Sequence, residues 1–436
     1  MKSVHGLPRE MSAKDRGHRP AMRVLVLSQY FWPETFRITE VVQSLRDAGC
    51  DVTVLTAQPN YPEGVVWPGY SAMSLRTQIH DGLTVHRVPL VPRGPGSALR
   101  LALNYLSFIV SATVFGPWLL RGQQFEAILV YAPSPILQAI PAVWLKWVKG
   151  AKLVTWVQDL WPESLSATGF VRDRKILGAV SAVVRWIYRR NDLLLVQSQA
   201  FVEPVVRMAG GTPVAYHPNP GESAFSKTDA DRSSPLQFEQ GFNVVFAGNL
   251  GTVQALDTVL AAALLLRDEP DVRFVLVGSG SRSEWLRKEV RRLGVDNVTM
   301  PGRFPPSDMP GVLAQASALL VSLVKDPIMS QTVPSKVQAY LAAGRPIIAS
   351  LDGEGSRVVM EAGAGVACPA EDAQALADAV RRMRDALPAE RQRMAQCGRS
   401  YYEQHFEPKL LATRLARFLS GVVSGELTAN TEIKNG

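Results

Sequence analysis

The chain has 436 residues, 47% of them hydrophobic and 20% charged, with a formal net charge of +8. That length exceeds one ordinary core and implies two domains of about 200 residues, while the composition excludes a disordered or low-complexity protein. Three scattered cysteines, Cys50, Cys368 and Cys397, exclude a disulfide scaffold, and six histidines without ligand-like spacing argue against a metal enzyme.

Residues 1–21 are polar and basic without an apolar run, so a disordered extension is expected there and not a secretion signal. From Arg23 onward, short apolar runs alternate with amphipathic segments. VLVL (24–27) leads into a helix over about 35–48, whose Ile38, Val41, Val42 and Leu45 keep the 3.6 period and whose end is marked by Gly49. VTVL (52–55), AILVY (127–131), KLVTWV (152–157) and LLLVQS (193–198) follow, with helices predicted around 135–149, 171–190 and 199–209. A polar passage at 218–241 interrupts the pattern. It then restarts with NVVFAG (243–248), VRFVLVG (272–278), ALLVSL (318–323) and PIIAS (346–350). Continuous apolar strands joined by helices mean a parallel sheet covered on both faces. The prediction is therefore an α/β protein with two doubly wound, Rossmann-like domains, 22–220 and 242–406, facing each other across a cleft. A linker at 221–241, a last helix at 407–422 and a flexible tail at 423–436 complete it.

In the second domain three strands run into glycine turns: Gly248-Asn249-Leu250-Gly251, Gly278-Ser279-Gly280-Ser281 and Asp352-Gly353-Glu354-Gly355. Glycine lets backbone N–H groups approach a diphosphate closely. Ser335 is expected to cap the helix that follows it, and Lys336 lies in that helix's first turn. A cation there opposes the helix dipole, which makes sense if a ligand phosphate shares the site. Together these features point to a nucleoside diphosphate. None of the turns is a Walker A loop and no GxGxxG follows the first strand, which speaks against a P-loop kinase or a dehydrogenase.

In the first domain, residues 28–35 form an aromatic loop that could wall a sugar or lipid headgroup, or simply pack. Glu34 in it is either a ligand contact or compensation for a helix dipole. The rigid polar loop Pro59–Gly64 supplies Asn60 and Tyr61 as further binding residues. Asp159 sits at the carboxyl end of the KLVTWV strand, where ligands of open α/β sheets bind, and is read as catalytic or substrate-binding, with an N-cap or buried acceptor as the alternative.

Charge is spread unevenly. Residues 1–220 hold 23 Lys/Arg against 14 Asp/Glu, a net +9, whereas residues 221–436 hold 24 against 25. The basic residues are interleaved with Trp and Leu and carry no nucleic-acid-binding signature, so an anionic membrane surface is the expected partner and nucleic acid is not. Residues 101–120 contain no charge and are just long enough to span a bilayer. The strands on either side must share one sheet, which favours a helix lying in the interface over a spanning one, with a buried core helix as the alternative. Trp144, Trp147, Lys146, Lys149, Lys152 and the basic segment at 172–190 support that reading.

The segments FWPETFR (31–37), PNYPEG (59–64), WVQDLWPES (156–164), HPNP (217–220), FAGNLGTVQ (246–254), VGSGS (277–281) and VPSKVQAYLAAGRPIIASLDGEG (333–355) resemble family 4 of the retaining glycosyltransferases, which have the GT-B fold. The likeness extends over about 22–420 and is greatest to bacterial enzymes of O-antigen, capsule and colanic acid assembly, in particular the N-acetyl-L-fucosamine transferase-like group. It implies a UDP-sugar or other nucleotide-sugar donor held by the second domain and a lipid-linked saccharide acceptor held by the first. The sugar would be an N-acetylated deoxyhexose, and the enzyme would be metal-independent, cytoplasmic and peripheral on the inner face of the plasma membrane. Gly248, Asn249, Gly251 and Gln254 fall where the family meets the diphosphate, with Gly278 and Gly280 in the adjoining turn. Lys336 and the turn with Gly353 and Gly355 fall near the nucleotide and sugar, and Asp159 near the position where many relatives carry a histidine-aspartate pair beside the reacting sugar; Ser335 is added as a donor residue and Glu354 as a catalytic one. The family's two glutamates are replaced by Gln331 and Ala339, and its paired Arg and Lys by Asn249 and Gln254. Arg303, Lys336 and Glu354 are expected to substitute. A nucleotide-sugar epimerase of the same fold and a non-catalytic nucleotide-sugar-binding subunit remain as alternatives.

Overall fold

Apolar strands that alternate with helices collapse into two separate parallel sheets. The computed structural model describes residues 21–95, 97–167, 173–222 and 234–427. The first sheet holds β1 (Arg23–Leu27), β2 (Asp51–Ala57), β3 (Arg76–His80), β4 (Leu83–Val88), β5 (Ala127–Ala132), β6 (Lys152–Val157), β7 (Leu193–Val196) and β8 (Val214–Tyr216) in the order β3-β4-β2-β1-β5-β6-β7-β8. Its pairs are parallel except β3 with β4. Its helices are α1 (Ile38–Asp47), α2 (Ala98–Leu119), α3 (Ile140–Lys149), α4 (Glu163–Ala167), α5 (Arg174–Tyr188) and α6 (Val202–Ala209). Residues of α2, α3, α5 and α6 bury one sheet face, and those of α1 bury the other.

The second sheet has β9 (Phe242–Asn249), β10 (Val272–Ser279), β11 (Val298–Gly302), β12 (Ala318–Ser322), β13 (Ile347–Ser350) and β14 (Gly365–Cys368), in the order β11-β10-β9-β12-β13-β14 and parallel throughout. It carries α7 (Leu256–Leu265), α8 (Ser283–Leu293), α9 (Met309–Ala314), α10 (Ser335–Ala343), α11 (Glu354–Glu361), α12 (Ala373–Asp385) and α13 (Pro388–His405). The last helix, α14 (Pro408–Ser424), returns to the first domain. Its Leu415, Phe418, Leu419 and Val422 join the core formed by Val24, Val41 and Trp156. Burial of those four side chains contributes several kcal/mol, at about 1.5–3 kcal/mol each, so α14 ties the second domain back to the first.

The strands expected from the sequence are present. The hairpin β3–β4 and the short strands β8, β11 and β14 were not expected. β3 is an edge strand with a polar, half-exposed pattern, and β8 and β14 offer only three or four residues to a pattern search. Residues 223–233 of the expected linker 221–241 lie outside the described residues. Residues 217–222 pack between the domains, and Leu236 already belongs to the second, where its carbonyl accepts from Gln315 Nε2 at 2.7 Å. The 1–20 extension and the tail beyond 427 lie outside the described residues.

At the carboxyl edge, Gly278 pairs with Gly248 across β10 and β9. Gly278 has φ 141°, and a Cβ there would lie 1.9 Å from the Gly248 carbonyl oxygen. Gly278→Ala is therefore expected to cost about 3 kcal/mol of stability, measurable as a lowered Tm by calorimetry.

Candidate active site

The carboxyl ends of β9, β10 and β11, with the start of α10, enclose a cavity of about 720 Å³. Gly248, Asn249, Gln254, Gly278, Gly280, Arg303, Ser335 and Lys336 all line it, so most of the expected donor positions converge. Phe304, Ala339 and Glu222 are among the other residues of its wall. Gly251, Gly353 and Gly355 lie outside that lining. Gly353 has φ 75°, and a Cβ on it would sit 1.9 Å from the Ser330 carbonyl oxygen, so close chain packing explains the residue. Ser335 is not the cap either. Extended Pro334 holds the N-cap place, its ring fixing φ at −61°, and Ser335 is the first helical residue.

Lys336 reaches into this cavity with its Nζ on Gln254 Oε1 and 4.3 Å from the centroid of the Phe246 ring. No carboxylate pairs with it among the described residues, and burial pushes its pKa down to about 8. An unneutralised cation beside glycine turns and a helix N-terminus is arranged to receive an anion.

In the first domain, Asp159 lies two residues past the end of β6. Its half-buried carboxylate takes no hydrogen bond among the described residues, and burial pushes its pKa up to about 6. The other expected catalytic carboxylate is differently placed. Glu354 begins α11, buried, with both oxygens forked by Arg357 Nε and Nη2 at 3.0 Å and a further bond from Ser198 Oγ at 3.3 Å. It is held in an ion pair and braces the second domain against the β7 end of the first. Of the two, Asp159 is the one without a hydrogen-bond partner among the described residues.

The expected acceptor residues divide in the same way. Glu34 is buried and accepts from the backbone N–H groups of Asn60 and Tyr61, both at 2.8 Å, and of Phe31 at 3.3 Å. Burial pushes its pKa up to about 7. Its carboxylate is thus committed to tying two loops together. Asn60 is buried too. Its Oδ1 accepts from Asn104 Nδ2 at 3.2 Å and from Arg93 N at 3.1 Å, and Asn104 Oδ1 accepts from Gln29 Nε2 at 2.7 Å. Tyr61 keeps a partly exposed ring, packed with Tyr30 and Phe36, and the Arg93 guanidinium lies 5.2 Å from its centroid. Arg93 and Asn104 were missed as site residues. The signal for Asn104 was its carboxamide in an otherwise apolar run, a group that must find a buried partner.

Three carboxamide side chains bridge the domains. Gln338 Nε2 of α10 donates to the Asn219 carbonyl at 2.8 Å, and Asn219 Nδ2 donates to Gln158 Oε1 at 2.7 Å. This chain sets the Lys336 helix against the strand end that carries Asp159.

Two α/β domains, with an anion-suited cavity at the carboxyl edge of the second sheet, define a two-domain fold that places its candidate site at the strand ends. A family model described as a glycosyl transferase 4-like domain matches residues 35–220, and one described as glycosyl transferases group 1 matches residues 241–385. The chain belongs to the family 4 glycosyltransferases of GT-B fold, and it is a glycosyltransferase. It is 28% identical over 341 residues to the colanic acid biosynthesis glycosyl transferase WcaI of Escherichia coli K12, covering 74% of this chain and 82% of that one. It is 25% identical to the glycosyltransferase WbjE of Pseudomonas aeruginosa, covering 64% and 71%. Among solved structures, HepE of Anabaena in complex with UDP superposes with a TM-score of 0.61 at 14% identity, over 92% of this chain and 100% of that one. The α,α-trehalose 6-phosphate synthase of Burkholderia multivorans gives 0.68 at 12% identity, over 93% and 100%. Those two likenesses concern the fold.

Proposed function

We propose that the protein is a retaining, metal-independent glycosyltransferase that moves a sugar from a nucleoside diphosphate to a lipid-linked saccharide, at the cytoplasmic face of a membrane, during surface polysaccharide assembly. One observation carries the acceptor side of this reading: a single helix joins the acceptor loop to an apolar surface. On α2, Asn104, Phe108, Ala112 and Gly116 are buried against the sheet, and Asn104 holds Asn60. The opposite face presents Leu103, Leu106, Val110, Val114 and Trp118, with Val110 and Val114 each 61% exposed. Trp144 and Trp147 of α3 extend the exposed surface. Because β4 and β5 lie in one sheet, α2 lies along the domain, as an interfacial helix does.

The lysines expected to strengthen this surface do other work. Lys146 and Lys152 pair with Asp192 at 2.6 and 3.5 Å, and Lys149 Nζ caps the end of α2 on the Leu120 carbonyl at 2.6 Å. Apolar insertion therefore contributes more than those three charges. Phe108 is fully buried, so it is a core residue and not a membrane contact.

On the donor side, Lys336 and the N–H groups of the β9 and β10 turns stabilise charge that develops on the departing diphosphate. Asp159 acts beside the reacting carbon, and approach of the two domains excludes water. A UDP-bound relative of the same fold, and the name of the colanic acid relative, support the donor and pathway class.

The test pairs turnover of labelled nucleotide sugar on lipid-linked and water-soluble acceptors with sedimentation on vesicles containing anionic lipid. Wild type is expected to co-sediment and to prefer the lipid-linked acceptor. Val110→Glu with Val114→Glu should release most of it from vesicles without altering nucleotide affinity. A wild type that ignores vesicles and turns over the soluble acceptor equally well would sink the lipid-linked reading.

A further inference from the structure

We propose that Asn219 is a positioning residue for the transfer reaction: it holds the peptide that carries Asp159 in register with α10, the helix of Lys336. This rests on the glycosyltransferase reading above and on Asp159 acting in it. Asn219 lies in the HPNP segment, between Pro218 and Pro220. The two proline rings fix φ on either side, and the second one disfavours helical backbone at Asn219 itself. Its carboxamide is therefore presented from a stiff stretch of chain between the domains.

From there Asn219 reaches both ways. Its carbonyl accepts from Gln338 Nε2 at 2.8 Å, and Gln338 is a buried residue of α10, two positions past Lys336. Its Nδ2 donates to Gln158 Oε1 at 2.7 Å and, more weakly, to Gln197 Oε1 at 3.4 Å. Gln197 Nε2 in turn donates to the Gln158 carbonyl at 3.1 Å. That carbonyl and the Asp159 N–H belong to one planar peptide unit, so its orientation sets the direction in which Asp159 leaves the strand. The paired register of β6 ends at Val157. Beyond it, the Gln197 side chain fixes the peptide plane.

Stability is a poor account of this junction. Gln158 Nε2 and Asn219 Oδ1 are buried without a hydrogen-bond partner among the described residues. Each unmade bond costs free energy, and apolar side chains of similar shape would fill the space without that cost. Carboxamides supply a fixed direction, which apolar side chains do not, and a carboxylate beside a reacting carbon needs one.

The experiment follows release of nucleoside diphosphate from a panel of UDP- and GDP-sugars in the transfer assay above, with UDP and GDP affinities from calorimetry. It compares the full chain with Asn219→Ala, Asp159→Asn and the double variant. Asn219→Ala is expected to lower kcat roughly 10- to 100-fold while the affinity for the preferred nucleotide changes less than about threefold. In the Asp159→Asn background the same substitution should lower kcat less than about threefold, because a residue that acts through Asp159 then has nothing left to position. Equal losses in the two backgrounds overturn the proposal and make Asn219 a structural residue, and unaltered turnover in Asn219→Ala overturns it as well. Gln338→Leu removes the bond from α10 alone and should lower kcat roughly three- to tenfold with the same dependence on Asp159. If Asn219→Ala does not fold, Gln338→Leu decides the matter, and a loss that is absent or equal in both backgrounds overturns the proposal. If Asp159→Asn turns over like wild type, or wild type releases nucleoside diphosphate from none of the sugars, the reading of the active site fails and this one with it.

Discussion

Asp159→Asn is expected to lower kcat roughly 100- to 1,000-fold while the dissociation constant of the nucleotide sugar changes by less than about threefold. The substitution keeps the shape and removes a charge that no side chain among the described residues neutralises. Burial pushes the Asp159 pKa up to about 6, so wild-type kcat/KM should fall as pH drops through about 6, and the Asn variant should lack that limb. The stability sign is opposite to the activity sign. A carboxyl whose folded pKa lies above its unfolded value favours the folded state when protonated, and that contribution is lost as pH rises through about 6. Near pH 7.5 the Asn variant should therefore melt at or above the wild-type temperature. A variant that loses Tm and activity together would make Asp159 a structural residue.

Lys336→Ala should weaken binding of the nucleoside diphosphate by roughly 10- to 100-fold, the range for a charge-assisted hydrogen bond in a dry site. Its depressed pKa adds a signature. The free site loses its cation as pH rises through about 8, so wild-type affinity should decline above that pH, and the Ala variant should follow a flatter course. Without ligand the unfolded chain binds more protons than the folded one between about 8 and the ordinary lysine value. Wild-type stability should rise with pH across that window, and the variant should not share the rise. Titration calorimetry at pH 7, 8 and 9 tests the first expectation, and melting curves at the same pH values test the second. Equal affinity in the two proteins would remove Lys336 from the donor site.

Much of the architecture was legible because it rests on local rules. The apolar runs of β1, β2, β5, β6, β9, β10 and β12 are buried on both faces, and that shows as continuous Val, Leu and Ile. Gly344 and Gly294 end α10 and α8 in the left-handed conformation that glycine favours. β3 escaped notice because its one apolar residue, Ile79, is 68% exposed. The α2 segment was legible as apolar, but its two faces were not. A helix with apolar side chains all round gives no period from which to tell Phe108, in the core, from Val110, at the surface.

Within the site, residue types and turn positions were determined by the sequence alone: glycines at strand ends, a lysine in a first helical turn and an aspartate at a strand's carboxyl edge. Which of the carboxylates is free was decided only by the tertiary structure. Glu34 is consumed by N–H groups 26 and 27 residues away, and Glu354 by Arg357 and by a serine 156 residues away in the other domain. The return of α14 to the first core and the arrival of Glu222 at the donor cavity are of the same kind. Helix and strand periods arise from neighbours within about four residues, so they are written along the chain. The charge and exposure of a side chain depend on distant groups that meet it only when two domains pack together, and no spacing in the sequence encodes that meeting.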